Sequence, residues 1–394
     1  MSTITTTSMT TTTKYFCQRP IHDGTDCLVL DGAMGTTLAQ AGLSESEAWT
    51  AGWRLNEPKL RQATKTAHMN FLNAGCDILT ANTYRVYPES VNLFLESNGK
   101  SSKGSEYDYA GHITKWTCAG FDLASECVDE YMASGNNNTN NNKKKKKPII
   151  AVSIGTFGIT IPGRTETANR IYDESMADVY NKKGFGHTLP EIEHYFDMRL
   201  SNEILSHVRN HCGENNDSIA FAFETCGDLL ECQAICNVIE RKSSLMKNID
   251  CWITFTCSTA ETVDSGDTLK SCIEVLCQCS HIKALGVNCT EPEFILPLLK
   301  VINTTLKENN ASDRVIVVYP NSGERYIART LTNEEHEHWK NDGAQKIHVH
   351  DGDSFETAAL QWIQNGANIV GGCCRITHND IEKLVEKVHG GASM

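Results

Sequence analysis

Eight times along this chain a short apolar, β-branched or aromatic run gives way to turn residues and then to a helical pattern. No other regularity in it limits the fold so tightly. The runs are 27–31, 76–82, 148–155, 218–224, 251–257, 282–289, 314–321 and 367–373. Helical periodicity is read at 57–73, 113–132, 189–211, 229–239, 268–279, 293–306, 354–364 and 379–388. Eight strand-helix units in series predict an α/β fold, a single (β/α)8 TIM barrel. Asn73-Ala74-Gly75 and Asn365-Gly366-Ala367 read as glycine helix stops leading into the next strand, which supports the alternation.

A barrel of this kind keeps its chemistry at the C-terminal ends of its strands. Those positions are Asp31, Asn82, Thr83, Glu224, Asn288, Cys289, Asn321, Cys373 and Cys374. The adjacent thiols of Cys373 and Cys374 would point to opposite faces of a continuing strand, so one metal can use both only if the chain bends there. Gly371 and Gly372 permit that bend. Cys289, far away in sequence, ends the sixth run and is the third thiol that topology brings to the pair. Three thiols with one open position make a catalytic zinc site. Three thiolates leave such a centre with a net charge of −1, and a substrate thiol entering the open position would lose its proton there. The electron-rich sulfur that results suits a cationic donor, and the chemistry is alkyl transfer to sulfur.

Plainer readings stand beside these. Cysteine is a small hydrophobe in most of its positions, and Cys226 and Cys257, though near the rim, are read as packing residues. The vicinal pair could instead form a redox disulfide. Asp31 could serve as a helix cap. His348, His350 and Asp351 are read as a solvent-exposed loop rather than a second metal cluster.

Composition narrows the classes. A formal net charge of −13 over 394 residues argues against a nucleic-acid or membrane-surface role. Seventeen cysteines, odd in number and irregular in spacing, read as free thiols in a reducing compartment. With no signal-like segment and no membrane span, a cytoplasmic location is expected. Residues 1–20 are expected to be a disordered Thr-rich tail before one domain at 21–394, in which 134–147 form a disordered Asn/Lys-rich insertion. The Lys143 to Lys147 run is read as part of that solvated insertion. The long segment 156–188, following the third strand, is a candidate substrate lid.

Six pieces in order resemble the zinc-dependent homocysteine S-methyltransferases, over nearly all of residues 27–389. They are Asp31-Gly-Ala-Met-Gly-Thr-Thr-Leu38, Asn73-Ala-Gly-Cys-Asp-Ile-Leu-Thr-Ala-Asn-Thr-Tyr84, Phe223-Glu-Thr225, Gly286-Val-Asn-Cys289, Tyr319-Pro-Asn-Ser-Gly-Glu324 and Gly371-Gly-Cys-Cys-Arg375. The resemblance implies a (β/α)8 barrel in which Cys289, Cys373 and Cys374 hold one Zn2+ per chain and the homocysteine sulfur fills the open position. It implies that Asp31, Thr83 and Glu224 contact the amino and carboxylate groups of the substrate, and Asn288 and Asn321 are placed with them on the substrate side. The piece following the seventh run is most similar to the branch using S-methylmethionine or S-adenosylmethionine as sulfonium donor. A betaine- or selenocysteine-type methyltransferase, or a non-catalytic zinc- or thiol-binding module, remains the alternative. Two departures line the rim. Cys226-Gly227 stands where the family has an apolar residue and proline, and Thr156 stands for proline in Gly155-Thr-Phe-Gly158. The expected partners are small molecules, and the oligomeric state is not legible.

Overall fold

The computed structural model describes residues 27–97, 108–134, 146–160, 187–215, 218–247, 249–323, 326–327, 338–339 and 354–390. The expectations for residues 1–20, most of 134–147, the body of the 156–188 segment, and His348, His350 and Asp351 lie outside them.

Each of the eight apolar runs holds a barrel strand: β1 Leu28–Val29, β2 Ile78–Ala81, β3 Ile149–Gly155, β4 Ile219–Cys226, β5 Asp250–Phe255, β6 Ala284–Asn288, β7 Val315–Tyr319 and β8 Ile369–Val370. They form one parallel sheet in the order β1-β8-β7-β6-β5-β4-β3-β2. A parallel bridge between Leu30 and Ile78 joins the two ends. Its backbone bonds run from Asp31 N–H to Ile78 O at 3.1 Å and from Asp77 N–H to Val29 O at 2.7 Å. The predicted (β/α)8 barrel is the fold.

Strand parity separates two cores. Outward-facing residues such as Val29, Leu79, Ile150, Phe221, Ile253, Leu285 and Val318 pack against the helices. Their neighbours Leu28, Ile78, Ile149, Ala151, Ala220, Ala222, Trp252, Ala284, Val317 and Ile369 fill the barrel itself. Small alanines opposite Trp252 let one large ring occupy the interior without overpacking. Continuing each strand by the inward parity leads to Thr80, Ser153, Glu224, Thr254, Asn288 and Tyr319, so the top layer of the barrel is polar.

The helices mostly follow their patterns, with three differences. The segment read as one helix at 189–211 is two, Leu189–Arg199 and Asn202–Asn215. The first stops because Leu200 leaves helical geometry, at φ −116 and ψ 41, while Arg199 turns inward to the carbonyls of Thr83 and Ser153. Three helices in the loops following β1 and β2 were not read from the pattern: Met34–Gln40, Glu45–Thr50 and Pro88–Ser97. The second carries a capping box from Ser44 and Glu47, a signal present in the sequence. A short antiparallel ribbon pairs Tyr326–Ile327 with His338–Trp339. Both glycine stops are left-handed, with φ +92 at Gly75 and +102 at Gly366.

Candidate active site

Three sulfurs meet at the top of the barrel. Cys289 follows β6, and Cys373 and Cys374 follow β8. Their Sγ atoms lie within 4.8 Å of one another, and this is the one such convergence of metal-binding side chains among the described residues. Cys374 Sγ is 3.6 Å from Cys289 Sγ and 3.9 Å from Cys373 Sγ. Cys289 and Cys373 are joined as a disulfide, with sulfurs 2.14 Å apart. The reading of every cysteine as a free thiol is corrected at this pair. Parallel strands two places apart bring the two side chains together although 84 positions separate them in sequence. The alternative vicinal disulfide is not what forms. Tetrahedral zinc with Zn–S bonds of about 2.3 Å sets its sulfurs roughly 3.8 Å apart. Two of the three separations fit that geometry, and three-sulfur binding requires the Cys289–Cys373 bond to be reduced.

Gly371 and Gly372 act differently from expectation. Neither has positive φ; the left-handed residues here are Cys289 (φ 48) and Arg375 (φ 67). The glycines are needed for space. A Cβ on Gly372 would stand 2.1 Å from Ile376 Cγ2, and one on Gly371 would stand 2.6 Å from Leu30 Cβ. Without side chains there, the 373–376 turn closes onto β1, Cys373 N–H reaches Pro320 O at 2.8 Å, and both thiols face the barrel mouth.

The buried carboxylates share that mouth. Asp31 is 3 % exposed and accepts hydrogen bonds from Thr80 N–H and Oγ–H, each at 2.8 Å. Burial, opposed by Thr80 and reinforced by the nearby Glu224 charge, pushes its carboxyl up to about 8. Glu224 accepts from Tyr319 Oη–H at 2.8 Å and from Ser153 Oγ–H. The Tyr319 hydroxyl also meets Thr254 Oγ1 at 2.7 Å and accepts from Trp252 Nε1–H at 3.4 Å. Burial holds the Tyr319 phenol well above its usual range, so it stays a donor to Glu224. Ser153, Thr254 and Tyr319 escaped the sequence reading. The signal that could have found them is parity, since each lies two or four residues beyond an inward-facing apolar residue on its strand.

Thr83, Asn288 and Asn321 are buried and hydrogen-bonded to protein, whereas Asn82 is half-buried with its side-chain nitrogen unpartnered among the described residues. Thr83 is fully buried, and its hydroxyl donates to Ser153 O at 2.7 Å. The Asn288 side chain accepts from Thr225 N–H and donates to Thr225 Oγ1, both at 2.9 Å. Asn321 donates to Cys289 O at 3.1 Å and accepts from Gly323 N–H at 2.7 Å. These amides hold the backbone on either side of Glu224 and Cys289. Thr225 itself is left-handed, with φ 64, a strained state for a β-branched residue. Cys226 and Cys257 are buried away from the three sulfurs, with thiols raised by burial, as their packing role requires.

Comparison with known proteins gives the family and the fold. The profile of the homocysteine S-methyltransferase family matches residues 28–388. Homocysteine S-methyltransferase 4 of Zea mays is 27 % identical over 369 residues, covering 93 % of this chain and 91 % of its own. Selenocysteine Se-methyltransferase of Brassica oleracea var. italica is 26 % identical over 363 residues, covering 91 % and 88 %. Among solved structures, the metallated form of the homocysteine methyltransferase MmuM from Escherichia coli superposes with a TM-score of 0.64 at 19 % identity, covering 93 % of this chain and 98 % of that one. Among the described residues no helix is long and apolar enough to cross a membrane. With its profile spanning the whole barrel from β1 to the last helix, the chain belongs to the homocysteine S-methyltransferase family.

Proposed function

We propose that this enzyme transfers a methyl group from a sulfonium donor, S-methylmethionine or S-adenosylmethionine, to the sulfur of L-homocysteine, giving L-methionine. The observation that carries the reading is the shared mouth: three convergent cysteine sulfurs following β6 and β8, with the buried Asp31 and Glu224 at the ends of β1 and β4. A zinc ion held by reduced Cys289, Cys373 and Cys374 would supply the Lewis acidity that makes the incoming thiol a thiolate at neutral pH.

The protein's own groups do the rest. Glu224 offers negative charge to the α-ammonium group, whose own positive charge would draw the raised Asp31 carboxyl toward its ionised form, and the Tyr319 and Ser153 hydroxyls fix the Glu224 carboxylate against rotation. With its amino end fixed in the barrel, homocysteine can direct its sulfur toward the cysteine cluster, so orientation supplies much of the barrier lowering. The new S–C bond forms as the donor's S–C bond breaks, the thiol proton goes to solvent, and the donor leaves as a neutral thioether. A thiolate and a sulfonium become two uncharged thioethers, a charge change favoured where water is excluded.

The test is methionine formation by reduced, zinc-loaded protein given homocysteine with S-methylmethionine, S-adenosylmethionine or betaine, and selenocysteine as a rival acceptor. Turnover with a sulfonium donor and homocysteine is expected. A preference for betaine or for selenocysteine would replace the reading with a sister activity. Bound zinc and homocysteine without turnover from any donor would make the protein a binding module. Cys289→Ser should lower the zinc stoichiometry, and full retention would sink the ligand assignment.

A further inference from the structure

The methyl donor must approach from above the strand ends, because the barrel below is filled by Trp252, Tyr319 and their alanine neighbours. The first residues after β3 and β4 lie on that upper rim, and a single buried carboxylate ties them together. Glu231, in the first turn of helix Leu229–Arg241, is 2 % exposed. Its Oε1 accepts from Phe157 N–H at 2.6 Å. Its Oε2 accepts from Thr156 Oγ–H at 2.9 Å and from Gly227 N–H at 3.0 Å. Thr156 directly follows β3, and its Oγ in turn accepts from Gly158 N–H at 3.0 Å. Gly227 directly follows β4, and its carbonyl accepts from Ser265 N–H at 2.8 Å in the loop following β5.

Ordinary helix capping does not account for Glu231. The cap is Asp228, which accepts from Glu231 N–H at 2.7 Å. A capping-box glutamate reaches back to the cap residue's own N–H, whereas Glu231 reaches past it into two loops. The location is costly, since burial and the Asp228 charge push the carboxyl up to about 7 against the pull of its three donors. Two of the three donors depend on residue type. A proline at position 156 would lack the hydroxyl and one at position 227 would lack the N–H, so neither bond to Glu231 would form.

We propose that Glu231 is a positioning residue for the methyl donor. It fixes Thr156 and Phe157 at the end of β3 and Gly227 at the end of β4, on the rim that the donor must cross, and its own bonds reach neither Glu224 nor the cysteines. This rests on the methyl-transfer reading above. Phe157 is held in turn by His187 and Tyr195, whose rings meet its own edge-on at 4.9 and 5.5 Å.

Glu231→Gln tests the idea with almost no change of shape. A carboxamide has one acceptor, so either Phe157 N–H or Gly227 N–H meets an N–H instead of an oxygen. In the full-length, reduced, zinc-loaded protein, the KM for the methyl donor should rise about tenfold or more, the worth of one buried charge-assisted hydrogen bond. The KM for homocysteine and the zinc stoichiometry should stay within about twofold on the same reasoning. Thr156→Val, which removes one hydroxyl and little volume, should move the donor KM in the same direction by a smaller factor, and it carries the test alone if Glu231→Gln does not fold. Donor and homocysteine KM rising together, or neither moving in either variant, would overturn the positioning role while leaving the reaction intact. An unaltered protein that turns over no donor would overturn the reaction itself, and the positioning role with it.

Discussion

Asn288→Ala is the substitution whose consequences can be followed furthest. The Asn288 amide is 2 % exposed and forms a closed pair with Thr225, both bonds at 2.9 Å. Each bond contributes about 1 kcal/mol net, and the buried Thr225 N–H left without a partner costs about 1–3 kcal/mol more. The left-handed Thr225 stores strain of about 1–3 kcal/mol, part of which relaxes when the clamp is gone. The balance predicts a loss of roughly 2–4 kcal/mol in denaturant unfolding of the reduced, zinc-loaded protein. Thr225 follows Glu224 and Asn288 precedes Cys289, so relaxation moves the Glu224 carboxylate and the Cys289 thiol together. The kcat/KM for homocysteine should fall by more than about tenfold under conditions where the variant is fully folded. A double-mutant cycle isolates the cause. In the Thr225→Gly background, where the backbone adopts positive φ freely, Asn288→Ala should cost at least about 1 kcal/mol less. The same cost in both backgrounds, or a single-mutant cost below about 0.5 kcal/mol, would refute the clamp.

His68 and Gly372 give two further tests. His68 is fully buried on helix Pro58–Asn73, has no partner for either ring nitrogen among the described residues, and is pushed down to about 4 by burial. A depressed folded-state value means its contribution is intact above about pH 6.5 and lost as the pH falls toward 4, a change of about 3 kcal/mol. His68→Leu should flatten the acid limb of the stability-pH curve by about that amount, and an unchanged limb would refute the assignment. Gly372→Ala would force Ile376 and the 373–376 turn away from β1 and should cost about 1–3 kcal/mol along with zinc affinity. Gly35→Ala, which meets nothing within 4 Å in helix Met34–Gln40, is the matched control and should leave both unchanged or raise stability slightly. Equal effects of the two substitutions would sink the close-approach argument.

Much of this site was legible before any coordinates. Apolar runs ending in Asp31, Glu224 and Cys289 name inward or rim positions because a parallel barrel allows those runs only one role each. The three-cysteine cluster follows from strand order alone, since β6 and β8 are both neighbours of β7. The break at Leu200 was less accessible, because the helical period continues across it and only the inward turn of Arg199 stops the helix.

Local pattern was enough to determine the number of strands, their direction and the residues at their ends, because periodicity and turn chemistry act within a few residues. Contacts between strands needed the tertiary structure. The Asn288 clamp on Thr225, the Tyr319 and Ser153 bonds to Glu224, the Glu231 tie between loops and the Cys289–Cys373 bond each join residues 63 to 95 positions apart. Whether such groups meet at 2.9 Å or miss depends on barrel register and on the space that Gly371 and Gly372 leave open. That is a property of the closed sheet, which no single strand carries.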